Sequence, residues 1–70
     1  MSWTQEVFSS NVISVGYDEE NQDLIITWKN GRQSAYNGVT EELALELSKA
    51  PSVGSMLNSD IKPNYPHRYV

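Results

Sequence analysis

Apolar positions along the chain follow two periods, one near two residues in the first half and one near 3.6 in the second. Val12-Ile13-Ser14-Val15-Gly16-Tyr17 is dense in β-branched and aromatic residues and stops at the polar run Asp18-Glu19-Glu20-Asn21-Gln22-Asp23, the pattern of a strand closed by a turn. Leu24-Ile25-Ile26-Thr27-Trp28-Lys29 predicts a second strand. The Asn30-Gly31 pair that follows predicts a type I′ hairpin, because both central positions of that turn need positive φ. Residues 32–37 then return antiparallel as a third strand. A loop of Asn30 and Gly31 alone sets Lys29 opposite Arg32, Thr27 opposite Ser34 and Ile25 opposite Tyr36 on one face. Leu24, Ile26, Trp28, Gln33 and Ala35 share the other face, which on this register faces the core.

After Asn37-Gly38 the period lengthens. Thr40 is placed to cap a helix, with Glu41 and Glu42 in the first turn where negative charge suits the dipole. That helix is predicted to run to about Ala50, with Leu43, Ala44, Leu47 and Ala50 on its core face and Leu45 on the opposite side between Glu41 and Lys49. Pro51 stops it. Ser52 is placed to cap a second helix reaching about Lys62, with Val53, Leu57 and Ile61 on one stripe and Met56 beside them. Pro63-Asn64-Tyr65-Pro66 ends regular structure. The predicted fold class is therefore α+β, a three-stranded antiparallel sheet followed by two C-terminal helices (β-β-β-α-α). One domain spans residues 1–70, with 1–8 and 64–70 as its less ordered ends.

Length changes the picture next. Seventy residues lie near the size at which one hydrophobic core is only marginally stabilising, so a homo-oligomer is expected as a source of further burial. There is no cysteine and one histidine, which excludes a disulfide framework and a thiolate or His-rich metal site. Met-Ser-Trp-Thr-Gln-Glu at the N-terminus has no basic or apolar leader, and no apolar run is long enough for a membrane helix, so a cytoplasmic location away from membranes is expected. A net charge of −4 argues against DNA and other long phosphate polymers, which proteins usually bind through a basic stripe. A compact ligand with a few phosphates needs only a local group of donors.

Such groups can be picked out. Lys29 and Arg32 meet at the predicted hairpin tip, on the face that also holds Ser34 and Tyr36, where they either solubilise the hairpin or hold an anion. Ser52, Gly54 and Ser55 at a helix start combine free N–H groups with hydroxyls. Arg32, Lys62, His67 and Arg68 would add charge if the tail folds back over the sheet, and Tyr36, Tyr65 or Tyr69 would offer a ring for a base to stack on. Catalytic motifs are missing: there is no Gly-x-Ser-x-Gly, no Walker loop and no nucleophile beside a base, and His67 stands alone near the C-terminus as a surface or packing residue. The run from Asp18 to Asp23 lacks the glycine and distal glutamate of an EF-hand loop. A non-enzyme with no cofactor and no metal is expected.

Taken in order, Ser9-Ser10-Asn11, Val15-Gly16-Tyr17-Asp18, Lys29-Asn30-Gly31, Tyr36 with Gly38-Val39, Ala50-Pro51-Ser52 with Gly54, then Asn58, Ile61-Lys62 and Tyr65-Pro66 resemble the KTSC domain. That module is named for its place at the C-terminus of some lysyl-tRNA synthetases and also occurs as a stand-alone protein of bacteria and phages. The resemblance covers nearly all of the chain after Phe8. The family's signature is Tyr-x-Tyr followed by Gly-Val-Pro; here Ser34 stands at the first tyrosine, Thr40 at the proline, and Val53 at a position that is often lysine. RNA binding has been suggested for the family, a role that leans on the aromatic pair and basic residues this chain partly lacks.

The resemblance and the acidic charge together lead to one expectation and two alternatives. The expected role is a small-nucleotide binder that sequesters a cyclic nucleotide defence signal, working in the host cytoplasm if phage-encoded. The alternatives are an RNA-binding accessory domain and a protein-interaction module using Leu45 and the open sheet face. Arg32→Ala or Tyr36→Ala is expected to abolish ligand binding with little loss of stability.

Overall fold

The β-branched runs pair as a meander that continues beyond the three predicted strands. The computed structural model describes residues 2–70, and its strands are β1 (Trp3–Glu6), β2 (Val12–Asp18), β3 (Asp23–Trp28), β4 (Gln33–Asn37) and β5 (His67–Tyr69). They form one antiparallel sheet in the order β1-β2-β3-β4-β5. The three-stranded expectation is thus corrected to five strands. Both additional strands come from the chain ends, and both are short edge strands, mostly polar and exposed apart from Trp3, that carry no apolar alternation. Pairing with β2 and with β4 makes them strands. Met1, the first residue of the predicted N-terminal end, lies outside the described residues.

The hairpin register is also corrected, by one residue. Thr27 pairs with Gln33, Ile26 with Ser34, Ile25 with Ala35 and Leu24 with Tyr36. The turn is longer than a type I′ loop: the Gly31 N–H donates to the Trp28 carbonyl at 2.9 Å, and the Trp28 N–H donates to the Arg32 carbonyl at 2.8 Å. Gly31 has φ +88°, whereas Asn30 is not at positive φ. These are the marks of a three-residue loop, a type I turn followed by a left-handed glycine. One extra loop residue exchanges the faces of β4. Ser34 and Tyr36 point into the core side, and Gln33 points away from it, donating to the Thr27 hydroxyl at 3.1 Å. Ala35 is buried outside the core cluster, between Ile25 and Arg68 in the sheet.

The helical half follows its sequence closely. Helix α1 (Glu41–Ser48) is capped by the Thr40 hydroxyl, which accepts from the Leu43 N–H, and α2 (Val53–Met56) by the Ser52 hydroxyl, which accepts from the Ser55 N–H. Helix α2 passes into π-helical turns at Leu57–Ile61, where the Lys62 N–H reaches back five residues to the Leu57 carbonyl. These elements lie between β4 and β5 in the chain. They bury Ala44, Leu47, Val53, Leu57 and Ile61 against Val12, Val15, Tyr17, Leu24, Ile26 and Tyr36 of the sheet. An irregularity between Val12 and Ser14 in the β2–β3 register turns Val12 inward and leaves Ile13 exposed, the usual effect of an extra residue in one strand. Leu45 is exposed, on the side of α1 where its spacing placed it.

Candidate functional site

The functional geometry begins at Ser34. It is fully buried on the core side of β4, opposite Ile26 on one side and Tyr69 on the other. A small side chain there leaves space that larger neighbours frame. The Trp28 indole N–H donates to the Ser34 hydroxyl at 2.8 Å. Tyr36 pairs with His67 across β4–β5, their ring centroids 5.0 Å apart, and His67 meets Tyr69 edge-on at 4.7 Å. The result is a hollow of about 320 Å³ lined by Trp28, Ser34, Tyr36, Lys62, His67 and Tyr69.

Two cations stand over its rings. The Lys62 ammonium lies 5.5 Å from the Trp28 centroid and the Arg32 guanidinium 5.8 Å from that of Tyr69, both at cation–π range. Lys62 reaches the hollow because the π-helical turns end on it, and Arg32 because it follows the three-residue turn. In a chain of net charge −4 this is a local concentration of positive charge. Burial, and then the nearby Tyr69, raise the Tyr36 phenol above its ordinary range. Tyr36 therefore stays neutral at physiological pH. The hollow offers exposed aromatic surface on Tyr69 and His67, a buried hydroxyl, and two exposed cations, a set suited to stacking a flat ring and neutralising a phosphate.

The ten sequence-derived candidates do not all gather there. Ser34, Tyr36 and Lys62 line the hollow, and Arg32 stands at its rim. Lys29 lies on a neighbouring groove with Asn11, Trp28 and Asn30. Ser52, Gly54 and Ser55 line a separate polar cleft against Ser9, Ser10 and Asn11, and the Ser52 and Ser55 hydroxyls are hydrogen-bonded to each other at 3.0 Å. Tyr65 packs on the core edge. Arg68 is on the opposite face of the sheet, where its guanidinium donates to both carboxylate oxygens of buried Asp23 at 2.7 and 3.4 Å. The Asn37 amide donates to the same carboxylate at 3.0 Å. The Arg68 hydrogen bonds, opposed by burial and helped by Asn37, hold Asp23 below the usual carboxylate range.

Among the lining residues Trp28 escapes a selection made from sequence, while His67 and Tyr69 are expected there only if the tail folds back over the sheet. Trp28 reads as a core residue because it continues the Leu24-Ile26 alternation, and it is in fact only partly buried. The other two depend on β5, which exists only through pairing with β4. Tyr36 requires a correction of another kind. It is 3% exposed and belongs to the core cluster, so truncating it to alanine removes core packing and carries a stability cost, contrary to the expectation drawn from the wrong register.

Among the described residues no group of three or more metal-ligating side chains converges, and no helix is long and apolar enough to cross a membrane. Comparison with known proteins supplies the kinship. An uncharacterised protein from Stutzerimonas stutzeri is 36% identical over 61 residues, covering 87% of this chain and 84% of that protein. The crystal structure of a KTSC domain protein from Yersinia pestis superposes with a TM-score of 0.88 at 30% identity, over 100% of this chain and 99% of the other. The KTSC domain family model matches residues 8–65, and with most of its length matched in this way the chain belongs to the KTSC domain family.

Proposed function

We propose that this protein is a non-catalytic binding module whose hollow beside Ser34 takes a nucleotide. The observation that carries the reading is the placement of Lys62 and Arg32 over an aromatic frame of Trp28, Tyr36, His67 and Tyr69. The base stacks on the exposed Tyr69 and His67 edges, and the phosphate draws the two cations away from their rings. A hollow of about 320 Å³ is at the lower end of small-ligand sites, which run from roughly 300 Å³ upward. It suits a single nucleotide unit. In this reading the ligand is held rather than turned over, and stoichiometric capture of a cyclic nucleotide defence signal is its physiological form.

Single-stranded RNA is the second reading, favoured by the exposure of Tyr69 at the sheet edge, where a base in a longer strand can stack. Calorimetric titration separates the two. Mononucleotides, cyclic dinucleotides and a short oligouridylate are titrated into the wild-type protein and into Tyr69→Ala and Lys62→Ala, both exposed positions. Loss of one stacking ring forfeits about 1–3 kcal/mol, so Tyr69→Ala is expected to weaken nucleotide binding at least several-fold. Absence of binding to any nucleotide, or binding untouched by both substitutions, refutes the reading. Binding to oligouridylate alone, falling steeply with salt, transfers the assignment to RNA.

A further inference from the structure

The loop joining β1 to β2 ends in an anomaly. Phe8 is fully exposed, at 103% of its reference area, although its backbone is well fixed. The Val7 N–H donates to the Ile13 carbonyl at 3.0 Å, and the Ser9 hydroxyl accepts from the N–H groups of Asn11 and Val12 at 3.3 and 3.4 Å. The loop thus holds a phenylalanine ring in water. Phe8 itself borders a concavity of about 600 Å³, whose apolar wall continues through Val7, Val12 and Ile13 and whose polar lining includes Glu6 and Lys29. Ile13 is itself 43% exposed, because the irregularity in β2 turns it out of the core.

We infer that this face is the interface between two copies of this chain, with Phe8 of each copy seated in the apolar groove of the other. One chain carries both the knob and the hole, which is what an isologous two-fold contact requires. The charges agree with that symmetry. The sheet order β1-β2-β3 puts Glu6, at the end of β1, and Lys29, just past β3, on opposite margins of the groove. A two-fold rotation brings Glu6 of one copy toward Lys29 of the other, twice, which offsets the repulsion between two chains that each carry −4. Domain size adds a motive, since a chain of 70 residues buries a smaller share of its surface than larger domains do. The groove is distinct from the hollow beside Ser34, so association leaves that hollow open.

Sedimentation velocity on the full chain over the order of 10 μM to 1 mM, the range suited to a small interface, tests the assignment. The wild type is expected to pass from monomer to dimer. Phe8→Ser, at a position that packs on nothing in its own copy, is expected to remain monomeric with an unchanged circular dichroism spectrum and melting temperature at low concentration. Glu6→Lys or Lys29→Glu alone is expected to weaken the dimer about tenfold, and the double exchange to restore it. A wild type that stays monomeric throughout, a Phe8→Ser variant that dimerises as the wild type does, or a double exchange no better than the single ones overturns the proposal.

Discussion

Tyr17→Phe removes the hydroxyl from a deeply buried hydrogen bond between side chain and backbone. The Tyr17 hydroxyl donates to the Val39 carbonyl at 2.7 Å, joining β2 to the segment just ahead of α1, and the two residues are 4% and 0% exposed. In the variant the carbonyl loses this partner where water has little access. A made hydrogen bond contributes about 1 kcal/mol net, and an orphaned buried acceptor costs about 1–3 kcal/mol, so a loss of about 1–2 kcal/mol is expected. For a domain this size each kcal/mol moves the melting temperature by about 4–8 °C. Urea unfolding followed by circular dichroism measures it directly.

The same substitution has a second signature at high pH. Burial, and then the charges of Glu41, Asp18 and Asp23, raise the Tyr17 pKa above its ordinary value. A pKa raised in the folded state means that the native protein holds the proton longer than the unfolded chain. The stabilisation is complete below about pH 10, the unfolded value, and declines as pH rises through the folded pKa. Tyr17→Phe should therefore show a shallower alkaline decline than wild type, with Tyr36, also raised, supplying what remains. An unchanged urea midpoint at neutral pH together with an unchanged alkaline limb would refute the assignment of this contact as a stabilising one.

Two further outcomes follow from the edge strand and the turn. Asp23 has its pKa lowered by Arg68, so its contribution is present above the unfolded carboxyl value near 3.9 and is lost as pH falls through the folded value. Asp23→Asn should be less stable than wild type at pH 7, and the gap between their urea midpoints should close as acid protonates the wild-type carboxylate. Gly31→Ala places a Cβ where nothing lies within 4 Å but φ is +88°. It should cost about 1–2 kcal/mol from backbone conformation alone, read as a lower thermal midpoint without any change in the spectrum of the folded state.

The helical half was legible because its determinants are local. Thr40 and Ser52 cap where their side chains and the acidic or small residues after them predict, Pro51 separates the two segments, and the stripe Val53, Leu57, Ile61 is buried as its spacing requires. The second Asn-Gly pair likewise ends β4, with Gly38 at φ +86°. The first pair was legible only as a turn. Asn-Gly fits both a two-residue loop and a three-residue loop with glycine in the left-handed position, and nothing within the hairpin decides between them. The core decides. The observed register buries Leu24, Ile26 and Tyr36 together beneath the helices, whereas the alternative would have turned Gln33 inward and Tyr36 out.

The candidate site was legible in its parts and not in its assembly. Arg32, Ser34, Tyr36 and Lys62 carry the right chemistry and do meet, yet the rings that complete the hollow are Trp28, His67 and Tyr69. The last two lie in a strand too short and polar to announce itself. Arg68, beside them in sequence, goes to Asp23 on the far face because successive side chains of a strand alternate. Strand identity, helix caps and the helical core stripe rest on interactions within a few residues, so the amino-acid order alone carries them. Register, edge strands and the meeting of residues 28–36 with 62–69 rest on contacts between distant segments, whose energies favour one pairing only when the whole core closes at once, and there the tertiary structure alone decides.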